Sequence, residues 1–243
     1  MKKAVNSSTS MTRRCAVLGI LSMSGGALAG CQLSSSNTPV SSSPSTRRAA
    51  TPQPEALSPV ADQFEIAPIS YTARRDGQHL IPTVYMSGIA PEFHRQVVPF
   101  ERGYPTGSIV VDNQTRHLFL ILSEHYALRY GVSIGAEGMT WRGQGTIYRR
   151  AHWPAWTPTP AMISRDRNLA RYATGMPGGS TNPLGARALY LMSQGRDQGY
   201  RIHGTPNWRS IGHYASSGCI RMINHDVIDL YERVPVGATV IAL

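Results

Sequence analysis

His203-Gly204-Thr205, followed by Ser210-Ile211-Gly212 and then Ser216-Ser217-Gly218-Cys219-Ile220-Arg221-Met222, is the stretch on which the reading of this chain turns. His203 closes a β-rich run, and Cys219 stands in a glycine-bearing turn sixteen positions later. A thiol at its ordinary pKa is mostly protonated near neutrality and needs a base or a positive potential to become nucleophilic. His203 can supply the base, because an imidazole can take the thiol proton and later return it to a leaving amine. Gly218 lets the backbone turn tightly, so that the N–H groups of Gly218 and Cys219 can face a developing oxyanion. Arg221 adds a positive charge two residues on. No Asp or Glu lies close enough in sequence to orient the imidazole, so a carbonyl at Gly204 or Thr205 is expected in that role. From chemistry alone, a catalytic pair and an inert buried cysteine weigh about equally.

The other cysteines sharpen the question. The chain has three, at positions 15, 31 and 219. Residues 1–14 carry Lys2, Lys3, Arg13 and Arg14 without an acid, and a short apolar run ends in Leu28-Ala29-Gly30-Cys31. That pattern describes an export signal over residues 1–30. The run is too short and too rich in Gly and Ser for a membrane-spanning helix, which needs about 20 apolar residues. Leu-Ala-Gly-Cys resembles a bacterial lipoprotein signal, with Cys31 acylated, and Thr12-Arg13-Arg14 resembles a twin-arginine signal. Both imply an exported protein of the cell envelope or periplasm, held to the membrane by a lipid on Cys31. Gln32 after that Cys points to the outer membrane in a Gram-negative host. Cys219 is then left without an intramolecular partner in an oxidising compartment, where exported thiols usually pair.

Charge and composition bound the remainder. The formal net charge is +10, and removing residues 1–30 takes four basic and no acidic residues, leaving +6. A moderately basic exported protein can associate with anionic surfaces. Export and the lack of any run of five Lys or Arg argue against nucleic acid as a partner. Residues 31–60 are Ser, Thr, Pro and Ala with few large apolar side chains, a flexible tether. Residues 61–106 form an N-terminal extension, read as short strands or a wrapping segment and not as a separate domain.

The main domain is expected over 107–243. Strands are predicted at 109–112, 117–122, 126–134, 145–148, 188–192, 200–203 and 239–243. One helix is predicted at 224–233, capped by Asn224 and apolar at Val227, Ile228, Leu230 and Tyr231. Long Pro- and Gly-rich loops at 153–160 and 172–185 are expected to carry substrate contacts, the second as a lid. The fold class is mainly β, a β-sandwich or barrel-like sheet with a minor helical component.

The motif order resembles the YkuD-type L,D-transpeptidase catalytic domain. His203-Gly204-Thr205 and Ser217-Gly218-Cys219-Ile220-Arg221 are similar to that family's signature. Asn182-Pro183-Leu184-Gly185 with Ala188-Leu189-Tyr190-Leu191 resembles its upstream strand, and residues 236–240 resemble its last strand. Many members have His where this chain has Ser217, which leaves the base role to His203 alone. The resemblance implies acyl transfer on peptidoglycan stem peptides through a Cys219 thioester, giving 3→3 cross-links. Water as acceptor would make an L,D-carboxypeptidase, and a protein amine would make a wall-anchoring enzyme. A non-catalytic wall-binding lipoprotein and a Cys219 intermolecular disulfide are the readings from other classes.

Beside the catalytic Cys219, His203 and Gly218, substrate contacts are expected from Arg221, Ser217, Gly204 and Trp208. Arg221 is given a holding role in the active-site turn or a carboxylate-binding one. Trp141, Trp153 and Trp156 are read as core, and His213 as a loop residue facing substrate or solvent. His203, His213, Cys219 and His225 are spaced by ten, six and six residues, which matches no compact zinc pattern. No metal or cofactor is expected.

Overall fold

The computed structural model describes residues 63–215 and 219–243. The export signal, the tether, Cys31, Ser217 and Gly218 lie outside the described residues. Among the described residues, no helix is long and apolar enough to cross a membrane.

The fold is mainly β. A hairpin of β1 (Arg74–Asp76) and β2 (His79–Ile81) stands beside an eleven-stranded mixed sheet. The sheet is built from β3 (Gln96–Pro99), β4 (Ile109–Asp112), β5 (His117–Ile121), β6 (Tyr126–Gly131), β7 (Ser133–Gly135), β8 (Gly143–His152), β9 (Arg187–Ser193), β10 (Arg196–Thr205), β11 (Tyr214–Ala215), β12 (Ile220–Ile223) and β13 (Thr239–Ala242). Its order is β11-β7-β12-β10-β9-β8-β13-β4-β5-β6-β3. The pairs β10/β12, β13/β4 and β11/β7 are parallel. One apolar cluster contains Leu118, Leu128 and Tyr130 from one half of the sheet and Leu189, Ile202 and Ile220 from the other. The two halves therefore share a core, and α3 (Asn224–Arg233) adds Val227 and Leu230 to it.

Three expectations are corrected. The apolar run at 126–134 is two strands at distant places in the sheet: β6 pairs with β3 and β5, and β7 with β11 and β12. The break falls at Val132, just after Gly131, where a Cβ would collide with the backbone and Cβ of Phe93. Asn224 does not cap its helix. Ile223 occupies the cap position without a side-chain bond, and Asn224 Oδ1 accepts from the Ala186 N–H at 2.9 Å. Two short helices also join the one expected, α1 (Ala136–Thr140) and α2 (Pro160–Arg165). The latter is capped by Thr159, whose Oγ1 accepts from the Met162 N–H.

The segment before the main sheet fastens onto it. Its β3 is the edge strand beside β6, and polar contacts bind it elsewhere. Tyr71 donates to Asp226 at 2.6 Å, Arg95 pairs with Asp229 at 2.8 Å, and Arg187 grips Asp76 through two bonds of 2.6 and 3.0 Å. Trp153 Nε1 also donates to Asp76, at 2.7 Å, which ties this segment to the root of the 153–160 loop.

Candidate active site

Strand register assembles the site. Arg149 of β8 stands opposite Tyr190 of β9, and Tyr190 opposite Arg201 of β10. One step along, Ala151, Ala188, His203 and Arg221 form the next row across β8, β9, β10 and β12. Paired residues share a sheet face, as do residues two apart on one strand. Arg149, Tyr190, Arg201, His203 and Arg221 therefore lie on one face, and Cys219, two before Arg221, joins them. Leu189, Ile202 and Ile220 point to the other face, into the core. Gly204 also faces that side, close against Val227 of α3.

A bulge in β10 shapes the ground beneath the thiol. Between its pairings with Met192 and Tyr190, β9 advances from 192 to 190 while β10 advances from 197 to 201. Gly199 takes the left-handed conformation this excess demands, at φ +86°. Asp197 holds the bulge: its carboxylate accepts from the Gly199 N–H at 2.8 Å, from Arg201 at 2.7 and 2.9 Å, and from Tyr148 at 2.6 Å. Burial pushes Asp197 up, but these donors outweigh it and hold the carboxyl down at about 2. The bulge turns the Gly199 carbonyl toward Cys219, whose Sγ donates to it at 3.4 Å. The Cys219 carbonyl accepts from the Gly135 N–H at 2.9 Å, pinning the start of β12 to β7.

His203 is buried, 3% exposed, and its Nδ1 lies 2.7 Å from the Gly204 carbonyl. A carbonyl can only accept, so Nδ1 carries the proton and Nε2 keeps its lone pair. The expectation of a carbonyl orienter at Gly204 matches this geometry. Burial pushes the imidazole down to about 4, and the charges of Arg221 and Arg201 act in the same direction against the Gly204 and Pro183 carbonyls. The ring is accordingly neutral at physiological pH, the form that can accept a proton.

Cys219, 6% exposed, and His203 line one cavity of about 340 Å³. Gly199, Arg201, Tyr190 and Arg149 complete its sheet side, and Trp156, Thr157, Thr159, Met162 and Leu184 form the loop side. The loops are stitched together. Trp156 and Met176 exchange backbone bonds of 2.9 and 2.6 Å. Asn182, fully buried, donates to the Met176 and Pro177 carbonyls and accepts from the Leu184 N–H.

Other expected site residues are elsewhere. Trp208 does not line the cavity: it packs against Gly88 beside Val84, Phe93 and Ile211. Arg221 sits beside His203 in the ladder without being a lining residue. Gly204 is buried and contributes its carbonyl to His203. His213 is exposed in a turn. Trp156, read as core, is a cavity wall, whereas Trp141 is core as expected, 3% exposed and stacked on Tyr200. Arg149, Tyr190 and Arg201 were missed. Their signal is period-two spacing on strands whose pairing the sequence does not reveal.

The chain belongs to the YkuD family, the L,D-transpeptidase catalytic domain, whose pattern matches residues 106–241. A Bacillus subtilis (strain 168) protein named as L,D-transpeptidase YqjB is 33% identical over 55% of this chain and 69% of its own. A Fuscovulum blasticum protein from the ATP synthase subunits region, also named as an L,D-transpeptidase, is 38% identical over 43% of this chain and 51% of its own. This chain thus spans about half of that relative. A solved structure of a Brucella melitensis protein, named as a carnitine operon oxidoreductase, is 45% identical over 65% of this chain and 98% of its own, with a TM-score of 0.45.

Proposed function

We propose that this protein is a peptidoglycan L,D-transpeptidase in which Cys219 is the nucleophile and His203 the general base. The observation that supports this most is a buried, neutral, carbonyl-oriented imidazole sharing one 340 Å³ cavity with the thiol. His203 Nε2 takes the thiol proton as Sγ attacks the carbonyl between the L-centre of the third stem residue and the terminal D-Ala. The backbone N–H groups of Gly218 and Cys219 receive the oxyanion. The C–N bond breaks, the proton passes from His203 to the departing D-Ala amine, and the acyl group remains as a thioester. The side-chain amine of a second stem attacks that thioester, gives up its proton to His203, and releases Cys219 with a 3→3 cross-link. Water in the amine's place would give L,D-carboxypeptidase activity, and a protein amine would give wall anchoring. Arg221 holds the active-site turn and depresses His203, Gly204 orients His203 through its carbonyl, Ser217 flanks the donor, and a lipid on Cys31 keeps the enzyme at the envelope membrane.

Incubation with tetrapeptide muropeptides should add the tripeptide-stem acyl mass to Cys219, and dimers should follow when an amine acceptor is present. Cys219→Ala should abolish both. A folded protein with a reactive thiol and no adduct would leave a non-catalytic wall-binding lipoprotein as the better account.

A further inference from the structure

The cavity wall contains a charge that the chemistry at Cys219 does not use. Arg201 is committed to Asp197 by two short bonds. Arg149 is exposed, and among the described residues its side chain makes no hydrogen bond or ion pair. It is nevertheless well placed. Its guanidinium carbon lies 3.7 Å from the centroid of the Tyr190 ring, which Arg201 also approaches, at 4.6 Å. Tyr190 is 6% exposed and fixed in the middle of the sheet, so it forms a firm platform for the guanidinium. Stacking uses the flat face of an arginine and leaves its edge N–H donors directed outward, the geometry that binds a carboxylate in two places.

We infer that Arg149 binds a carboxylate of the acyl donor and thereby selects acidic stem peptides. This rests on the reading of Cys219 as a peptide acyltransferase and names the donor chemistry of that site. Adjacent strands lie about 4.8 Å apart, so a guanidinium over β9 is ~10 Å from a thiol at the level of β12. The carboxylate of the departing D-Ala is only roughly 4 Å from the scissile carbonyl by ordinary bond lengths, too near to reach Arg149. The carboxylate is therefore on the retained acyl side. Two groups have that reach in a stem whose third residue is a diamino acid with a second carboxylate, such as diaminopimelate: that carboxylate, and the α-carboxylate of a γ-linked residue before it.

The test is Cys219 acylation by synthetic tetrapeptide stems with both carboxylates free or with either one amidated, read by intact mass. Arg149→Gln should lower kcat/KM for the free-acid donor on the order of 10- to 100-fold, mainly through KM, as expected for losing a charge-assisted contact. Amidating the recognised carboxylate should reduce wild-type acylation similarly and make the two proteins equal, which tells the two sources apart. Iodoacetamide should alkylate Cys219 at the same rate in both, so a folding defect would be visible. Unchanged KM in Arg149→Gln, or an equal loss with every amidated donor, overturns the inference. A wild-type protein that takes no acyl group from any donor defeats the Cys219 reading itself, and this inference with it.

Discussion

Arg187 and Arg149 lie on neighbouring strands and carry the same charge under opposite arrangements. Arg187 is 3% exposed and bound through both its terminal nitrogens to Asp76, where the N-terminal segment is fastened. The same pattern recurs at Arg95 with Asp229 and Tyr71 with Asp226. On the cavity face, Arg149 rests on a ring and faces open space, and His203 is held neutral with one nitrogen unprotonated. Charge that closes on the protein's own atoms fastens one element to another. Charge and lone pairs left directed into a cavity remain available to an external partner.

The widest separation of the two regions should come from His203→Ala. We expect acyl transfer to fall by about 10²- to 10⁴-fold, the usual range for losing a general base, and Cys219 to alkylate slowly near neutral pH. The pH profile of kcat/KM provides a second reading. Burial sets His203 near 4, so the base stays competent well below pH 6 and the acid limb should fall toward pH 4. An acid limb at 6.5 or above would contradict the geometry. The sign for stability follows: the unfolded imidazole protonates first, so His203 destabilises the fold as pH falls from about 6.5 toward 4.

On the fastening side, Asp76→Ala should destabilise by about 3 kcal/mol, because it leaves buried Arg187 and Trp153 Nε1 without their acceptor. Denaturant unfolding measures this, and acylation at saturating donor should change far less than in His203→Ala. Asp226 is a subtler probe. Burial pushes its carboxyl up to about 7 against the Tyr71 bond and the Arg95 charge. The folded state therefore retains a proton that the unfolded state releases near pH 4, and stability should fall as pH rises from about 4 to 7. Asp226→Asn should remove that pH dependence, on the order of 4 kcal/mol between pH 4 and 7. If the slope survives, the group responsible lies elsewhere.

The smallest effect is expected at Asp197→Ala. Its carboxylate is on the surface, so stability should change by less than about 1 kcal/mol. Acylation should still fall severalfold, because the Gly199 carbonyl that receives the Cys219 thiol loses its anchor. Equal losses of activity and stability would mean that the bulge serves the fold alone.

Much of this was legible in the chain. Alternating and apolar runs marked β4, β5, β9, β10 and β13, because a half-buried strand repeats every two residues. The His203 and Cys219 motifs stood out because a thiol needs a base. Local pattern failed where two distant segments decide the outcome. The run 126–134 divides at Val132, beside Gly131, whose close approach to Phe93 no local pattern reveals. Asn224 has the chemistry of a helix cap and spends it on Ala186 instead. Trp156 and Trp208 are the same residue type in similar loops, and their exchange of cavity and core positions depends on packing from remote parts of the chain.

By itself the sequence determined the family and the mainly β class, and it pointed to the two residues proposed to perform acyl transfer, because these depend on residue type and short-range order. Only the tertiary structure decided what surrounds them. The parallel pairing of β10 with β12 sets His203 beside Arg221 and brings Cys219 onto the same face. The register of β8 and β9 adds Tyr190 and Arg149, which stand about 30 and 70 residues before Cys219 in sequence. Burial then makes the imidazole a neutral base. Register and burial are long-range quantities, fixed by which strands meet.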